Sequence, residues 1–293
     1  MTAPGTSASV LDQACEAVGI STAGAEPIRV AENEIWRLPD AVVARIARPG
    51  QWAAAVREVR VAQWLADNDV PAVRPLPAVE QPVLAQERPV TFWEELPPHE
   101  PGTVRDVVYL LKELHSLPIP DFSLGRLEPF VRVAERIDSA STLAADDRAW
   151  LRDHLAALQQ DWTDLPQGLA ECVVHGDAWV GNVARTQRGG VFLLDLERCT
   201  VGPPEWDLVS TAVKLTTTGT VTRGEYTEFC SSYGTDVTTW SGYKTMAEVR
   251  KLRMTAYAAQ HAATNPGWRR EAQYRVDCLR GRVPGPWRWT GIT

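Results

Sequence analysis

The feature that most restricts the fold is a polar segment, His-Gly-Asp-Ala-Trp-Val-Gly-Asn, between two short apolar runs, Cys-Val-Val and Val-Phe-Leu-Leu. It contains His175, Asp177 and Asn182, and Asp195 follows thirteen residues after Asn182, at the end of the second run. Composition alone would give this spacing of His, Gly, Asp and Asn with odds of about one in several thousand. Because short apolar runs of this kind are typical of buried strands, the segment predicts a strand–loop–strand unit that presents carboxylate and amide oxygens.

The rest of the chain divides at a proline-rich stretch from Pro97 to Gly102. Before it, β-like runs accompany one segment, residues 52–70, whose apolar residues recur at helical spacing. After it, helical patterns predominate, and the later ones cover residues near 205–216, 223–233, 243–263 and 268–281. We therefore predict an α+β fold with two lobes: a small sheet-rich N-terminal lobe over residues 1–96 and a larger helical C-terminal lobe over residues 97–293.

Composition and charge exclude several classes of protein. The 293 residues are 44% hydrophobic and 23% charged, which is ordinary for a globular chain, and the net charge of −7 argues against a nucleic-acid partner. No apolar run approaches the roughly 18 residues of a membrane span, and the first ten residues do not resemble a signal peptide. The five cysteines are widely spaced and form no metal-binding pattern. We expect a cytoplasmic protein, a monomer or weak dimer, with no membrane partner and with its first eight residues frayed.

The polar loop and the later strand-end aspartate resemble the catalytic machinery of the aminoglycoside phosphotransferase family, which has a protein-kinase-like fold and includes choline and sugar kinases among its relatives. The resemblance covers about residues 28–215 and implies that Asp177 is the catalytic base and that Asn182 and Asp195 hold Mg²⁺. Phosphoryl transfer to an alcohol needs a carboxylate to orient the hydroxyl and oxygen ligands for the metal. His175 is expected to brace the loop.

The resemblance also implies supporting and nucleotide-binding residues. Asp207, in the run Gly-Pro-Pro-Glu-Trp-Asp-Leu, matches a position that supports the catalytic loop. The phosphate-binding cation is usually lysine, but residues 1–111 contain none, and Arg45 occupies the matching place, with Glu58 as the helix carboxylate that positions it. An arginine is chemically workable there, because it is always charged and binds phosphate through two N–H groups.

A phosphate-covering loop is expected around Val-Ala-Glu-Asn-Glu-Ile-Trp, where Asn33 takes a position at which the family often has asparagine. This loop lacks the glycines of a Gly-rich loop, so fewer backbone amides would contact phosphate. The run Val-Thr-Phe-Trp-Glu-Glu-Leu-Pro-Pro resembles the family's hinge. There the backbone of Glu94 and Leu96 would read the purine edge, with Trp93 at the back of the base pocket.

These expectations define an Mg²⁺-dependent O-phosphotransferase that uses ATP or GTP to modify a hydroxyl of a small molecule, with antibiotic resistance as the family's best-known role. A metabolic kinase for a sugar, nucleoside, choline-like compound or amino-acid alcohol is the alternative within the same class. A nucleotide-binding regulatory pseudokinase is the alternative from another class, favoured by the Gly-free loop and by Arg45. The intact Asp177, Asn182 and Asp195 count against it.

The acceptor is the least determined feature. Residues 97–293 carry 24 acidic and 22 basic side chains, whereas residues 1–96 carry 13 and 8, so the helical lobe has little excess acidity for a polycationic acceptor. Trp179 lies within the catalytic loop, and we expect an uncharged or weakly charged hydroxyl-bearing ring to pack on it. Glu197 would approach the metal or the acceptor, or else form a salt bridge.

Overall fold

The computed structural model describes residues 7–30 and 33–291. They group into two compact units, one comprising the chain up to Leu124 together with Val180–Thr200, the other Gly125–Trp179 together with the chain from Val201 onward. The predicted lobe boundary at residue 96 does not coincide with any of the three points at which the chain changes unit, and it stays a prediction. Of the eight residues expected to be frayed, the first six lie outside the described residues, whereas Ser7 and Ala8 begin a helix.

The regular elements alternate between short strands and helices of up to six turns. The helices, in chain order, are α1 (Ser7–Val18), α2 (Trp52–Asp67), α3 (Val104–Ser116), α4 (Val133–Asp138), α5 (Ala145–Thr163), α6 (Glu205–Ala212), α7 (Arg223–Tyr233), α8 (Tyr243–Thr264) and α9 (Arg269–Leu279). The strands are β1 (Glu26–Val30), β2 (Glu34–Leu38), β3 (Val42–Ile46), β4 (Val83–Ala85), β5 (Arg88–Glu94), β6 (His99–Pro101), β7 (Cys172–Val174), β8 (Val183–Thr186), β9 (Val191–Leu193) and β10 (Thr200–Gly202).

The first unit is organised around an antiparallel sheet of five strands in the order β1-β2-β3-β5-β4. On β3, Ala44 and Ile46 are fully buried in a core that includes Leu11 of α1 and Phe92 of β5. Because successive side chains of a strand point to opposite faces, Arg45 leaves the sheet on the other side, where it contacts α2. The alternation along β3 thus determines where this cation lies.

Helix α2 ends at Asp67, three residues before the predicted end. The amide of Asp69, which has φ +57°, bonds the carbonyl of Ala66, and the amide of Val70 bonds that of Leu65. This pair of hydrogen bonds around a left-handed residue is a Schellman motif, which terminates a helix. In the sequence, the helical spacing of apolar residues extends to Val70 because this residue is buried next to the end of the helix.

The remainder of the first unit is a three-stranded sheet in the order β6-β8-β9, with α3 beside it. Thr103 caps α3 in a capping box with Asp106, and the Asp106 carboxylate also accepts a hydrogen bond from Arg185 of β8 at 2.8 Å. This sheet carries Asn182 just before β8 and Asp195 shortly after β9.

The second unit is predominantly helical. Its longest helix, α8, packs against α4, α5, α6 and α9 through buried residues that include Val249, Leu252, Ala256 and Ala259. A two-stranded sheet pairs β7 with β10 and delivers the chain to residues 175–178. Among the helices of the described part of the chain, none is both long enough and apolar enough to cross a membrane.

Candidate functional site

The loop after β7 is held in place by side chains of α6. Both carboxylate oxygens of Asp207 accept backbone hydrogen bonds, one from the amide of His175 at 2.7 Å and one from that of Gly176 at 3.0 Å. Gly176 has φ +84°, a left-handed conformation that glycine adopts without steric cost. Since Asp207 is fully buried, these hydrogen bonds are shielded from water, and they set the direction in which the chain enters Asp177.

Two further side chains of α6 hold the same loop. The indole Nε1 of Trp206 donates to the carbonyl of Gly176 at 3.0 Å, and the hydroxyl of Ser210 donates to the carbonyl of Ala178 at 2.8 Å. Within the loop, Nδ1 of the buried His175 accepts a hydrogen bond from the amide of Asp177 at 3.3 Å. His175 thus takes part in the hydrogen bonds within the loop, and its bracing role stays a prediction.

Asp177 itself presents a carboxylate that is 43% exposed, at the tip of this supported loop. A guanidinium nitrogen of Arg250, on α8, lies 3.9 Å from its carboxylate oxygen. Arg250 is in turn held by the carbonyl of Trp206, to which it donates at 2.8 Å, and by the indole ring, which lies 3.9 Å from its guanidinium carbon. The loop therefore combines a rigid backbone with an accessible carboxylate that can accept a proton.

A lysine that the sequence did not single out lies over Trp179, two residues after Asp177. The Lys214 ammonium is 4.8 Å from the centre of the Trp179 ring, whose side chain is 36% exposed. Burial lowers the pKa of Lys214 to about 8, with Asp177 opposing this shift and Arg250 adding to it. One face of Trp179 is therefore already covered by a protein cation.

In the first unit, Arg45 is the centre of an ionic cluster. One guanidinium nitrogen contacts the buried carboxylate of Glu58, on α2, and the other donates to Glu197 at 2.5 Å and lies 3.8 Å from Asp195. The side-chain amide of Asn33 lies 3.5 Å from the same Glu197 oxygen. Of the roles considered for Glu197, the salt bridge is the one that this geometry shows.

A second guanidinium belongs to this cluster, because Arg198 lies 4.0 Å from the other carboxylate oxygen of Glu197. Burial raises the pKa of Glu58 to about 7, and Asp195 and Glu197 add to this shift although Arg45 opposes it. Three carboxylates therefore share two guanidinium groups.

Asn182 and Asp195, the predicted metal ligands, are joined through the backbone. The amide of Leu194 donates to the carbonyl of Asn182 at 3.0 Å, which places Asp195 one residue away. Asp195 has φ +55°, a left-handed conformation that is uncommon outside glycine and recurs at functional sites. Residues 7–30 and 33–291 contain no group of three or more His, Cys, Asp or Glu arranged to hold a metal ion. Mg²⁺ needs no such cage, since it is commonly held by one or two protein ligands together with substrate phosphates.

The hinge residues lie at and beyond the end of β5. Trp93 is buried, and its Nε1 donates to the hydroxyl of Thr91 at 2.8 Å. The amide of Glu94 donates to the carbonyl of Arg74 at 2.9 Å, so a purine could use only its carbonyl or side chain. Leu96 lies two residues past the strand, in a segment without regular structure. Purine recognition by Trp93, Glu94 and Leu96 stays a prediction.

The predicted residues thus form two groups. The first unit brings Arg45, Glu58, Asp195, Glu197 and Asn33 together and carries Asn182 on the adjoining backbone. The second unit brings together Asp177, His175, Asp207 and Trp179. Sequence reasoning missed four residues of this second group: Trp206, Ser210, Lys214 and Arg250. A signal was available for Trp206 alone, since it directly precedes Asp207.

The profile of the phosphotransferase enzyme family (APH) matches residues 24–272. This is a longer span than the residues 28–215 over which the sequence motifs resemble that family. No matching sequence is found among curated proteins.

Solved structures show which fold the chain shares. The aminoglycoside phosphotransferase APH(3'')-Id of Streptomyces rimosus superimposes with a TM-score of 0.60 at 18% identity, over 85% of this chain and 99% of that one. Choline kinase LicA of Streptococcus pneumoniae gives 0.65 at 14% identity, over 94% and 98%. The amicoumacin kinase hAmiN gives 0.66 at 13% identity, over 93% and 94%. The predicted α+β, protein-kinase-like fold is confirmed, and the chain belongs to the phosphotransferase enzyme family.

Proposed function

We propose that the protein is a Mg²⁺-dependent O-phosphotransferase that transfers the γ-phosphate of ATP or GTP to a hydroxyl of a small-molecule antibiotic or other natural product. Family membership makes it a phosphotransferase with an alcohol acceptor; the metal, the nucleotide and the kind of acceptor are what the proposal adds. The observation that carries it is the exposed Asp177 carboxylate at the tip of a loop that α6 holds by four hydrogen bonds.

In the proposed reaction, the acceptor oxygen forms a bond to the γ-phosphorus while the bond from phosphorus to the bridging oxygen of the leaving diphosphate breaks. Asp177 orients the hydroxyl and takes its proton. A carboxylate suits this work when its position is fixed in advance, since a positioned base lowers the entropy lost on reaching the reactive geometry. The contacts from Asp207, Trp206 and Ser210 provide that positioning.

Asn182 and Asp195 are the residues proposed to hold Mg²⁺. Amide and carboxylate oxygens are ligands that this cation prefers. When bound, Mg²⁺ neutralises charge on the nucleotide phosphates.

Arg45 is the proposed phosphate-binding cation, positioned by Glu58. The nucleotide complexes of two relatives, amicoumacin kinase with AMP-PNP and the Streptomyces rimosus phosphotransferase with ADP and streptomycin, support a nucleoside triphosphate as co-substrate. The choice between ATP and GTP, work in the cytoplasm and a monomeric or weakly dimeric state belong to the proposal. The five free cysteines of the protein suit a reducing compartment.

A metabolic kinase is the second candidate within the same class. It is favoured by the Lys214 ammonium on Trp179, because a cation at this place does not suit polycationic antibiotics.

The regulatory pseudokinase is separated from both by one assay: nucleotide consumption in the presence of a panel of alcohols, followed by mass spectrometry of the acceptors. We expect one phosphoryl group to be added to an acceptor. Nucleotide binding without consumption, for every alcohol and for both nucleotides, would support the pseudokinase instead.

Replacing Asp195 with Ala is expected to raise the Mg²⁺ concentration needed for half-maximal activity by at least about tenfold, because a formal charge is removed from the metal site. Asn182→Ala should have a smaller effect, since its amide is neutral. Both are measured by metal titration of nucleotide binding and of turnover. Asp67→Ala, at an exposed position of the same unit, is the control and should leave the titration unchanged. An Asp195→Ala protein with the Mg²⁺ dependence of the wild type would contradict the assignment.

Arg45 and Glu58 are expected to be coupled in nucleotide binding, because each positions the other. A double-mutant cycle with Arg45→Met and Glu58→Gln should give an interaction free energy of about 0.5–3 kcal/mol from the nucleotide KM. The matched control is the pair Arg185 and Asp106, whose side chains are 2.8 Å apart in the same unit. That pair should couple in the free energy of unfolding but not in KM. Additive effects of Arg45 and Glu58 on KM would mean that the nucleotide site lies elsewhere.

A further inference from the structure

Lys214 is the feature of the second unit that the proposed reaction does not use. It follows α6 in a short 3₁₀ turn, Val213–Leu215, and its partly buried ammonium lies over Trp179. Within the described residues, no carboxylate lies within 4 Å of this ammonium and no acceptor bonds it. An ammonium has three donors to satisfy, and removing it from water without acceptors costs free energy.

Lys251, in the same unit, is a lysine whose ammonium has a carboxylate partner. Its ammonium also lies over an indole ring, that of Trp287, at 5.4 Å, but it donates to Glu248 at 2.9 Å. The cation–π contact alone is therefore not how this unit accommodates lysine. Lys214 has no such carboxylate partner. It lies in the part of the second unit where the proposed base, Asp177, is exposed.

Two cations of the second unit, Arg250 and Lys214, act on Asp177. Arg250 lies 3.9 Å from Asp177, and Lys214 is close enough for the two cations and Asp177 to influence one another. The other carboxylate of this group, Asp207, is fully buried with both oxygens bonded to the loop. An acceptor that places its hydroxyl at Asp177 thus meets positive charge beside it.

Several carboxylates elsewhere in this unit are engaged with arginines. The pairs are Asp138 with Arg152, Asp147 with Arg280 and Arg282, Glu171 with Arg126, and Glu271 with Arg275. An ammonium-bearing acceptor would have to compete with these arginines for them. It would also have to displace Lys214 in order to contact the indole face that Lys214 covers.

We propose that Lys214 is a specificity-determining residue of the acceptor site, whose ammonium binds an anionic substituent of the alcohol, a carboxylate or a phosphate, and disfavours acceptors that carry an ammonium beside the hydroxyl. The inference rests on the proposed function, in which Asp177 orients the acceptor. It goes beyond the neutral ring expected on Trp179, because it assigns a charge to the acceptor.

The first test is an acceptor screen by nucleotide consumption, with the compounds sorted by charge. Hydroxycarboxylates and sugar phosphates form the two anionic sets, sugars and nucleosides the neutral set, and choline and kanamycin the cationic set. Preferred turnover of an anionic set is expected, and comparison of its two halves identifies carboxylate or phosphate as the group bound. Preference for the neutral or cationic set would overturn the inference but leave the proposed function standing. Turnover of nothing would overturn the proposed function.

The second test uses Lys214→Met, Lys214→Arg and the matched control Lys251→Met. With the best anionic acceptor, Lys214→Met should raise the acceptor KM at least about tenfold and leave the nucleotide KM unchanged, because a charged hydrogen bond is lost. Lys214→Arg should retain most of the affinity. If kcat instead fell equally for all acceptors, Lys214 would act on the transferred phosphoryl group, and the inference would be wrong.

The third test needs no acceptor. Lys214→Met should raise the urea midpoint of unfolding at neutral pH, because it removes a partly buried ammonium that has no carboxylate within 4 Å. Lys251→Met should lower the midpoint or leave it unchanged, because Lys251 has its carboxylate. A Lys214→Met protein less stable than the wild type would assign Lys214 to packing on Trp179, and it would overturn the inference independently of any activity.

Discussion

Replacing Asp177 with Asn is expected to lower kcat by at least about a hundredfold, because a positioned general base contributes two to four orders of magnitude to proton transfer. The amide keeps the shape of the carboxylate but cannot accept the proton of the hydroxyl. The nucleotide KM should change little. Steady-state kinetics with saturating nucleotide measures the effect, and a variant that kept a tenth or more of the wild-type kcat would refute the assignment of Asp177 as the base.

This variant should also keep its fold, which makes the kinetic result interpretable. The Asp177 side chain is 43% exposed, and Asp207, Trp206 and Ser210 of α6 hold the loop by hydrogen bonds to its backbone. Asp138→Asn is the matched control. It removes an exposed carboxylate of the same unit that pairs with Arg152, and it should alter neither kcat nor the urea midpoint measurably.

Much of the fold could be predicted because its signals are local. Apolar residues at helical spacing predicted helices near 223–233 and 243–263, which the structure places at Arg223–Tyr233 and Tyr243–Thr264. The ends were harder to predict where a cap lacks glycine. Helix α2 stops at Asp67 because Asp69 takes the left-handed conformation of a C-terminal cap, a position that glycine more often fills.

The candidate site could be predicted where its residues lie close together in the sequence. His175, Asp177 and Asn182 lie within eight positions, so their spacing was informative by itself. Lys214 and Arg250 come from a turn and a helix far along the chain, and a period of three or four residues says nothing about which two elements meet in space. Their approach to the loop depends on the packing of α6 against α8.

Arg45 and Glu58 are an intermediate case. The resemblance paired them, and the structure brings their side chains into contact, but their part in nucleotide binding stays a prediction. The sequence allowed a salt bridge for Glu197 but did not identify Arg45 as its partner. In the structure, the second guanidinium nitrogen of Arg45 donates to Glu197. Glu197 accepts this hydrogen bond from the proposed phosphate-binding cation and is itself contacted by Asn33, so phosphate would replace one carboxylate with another anion rather than fill an uncharged space.

Asp207 is the residue whose loss should damage both the fold and the reaction. Asp207→Ala leaves the buried amides of His175 and Gly176 without their acceptor and removes a carboxylate 4.0 Å from the buried Arg250. We expect the free energy of unfolding in urea to fall by about 3–5 kcal/mol, the usual cost of breaking a buried charged network. Thr222→Ala, at the exposed N-cap of α7 in the same unit, should cost only about 1 kcal/mol. Ser210→Ala removes a single hydrogen bond to the loop and should stay folded, so a fall in its kcat with an unchanged nucleotide KM would show that α6 positions Asp177. An Asp207→Ala protein as stable as the Thr222 control would mean that the loop is held by other contacts.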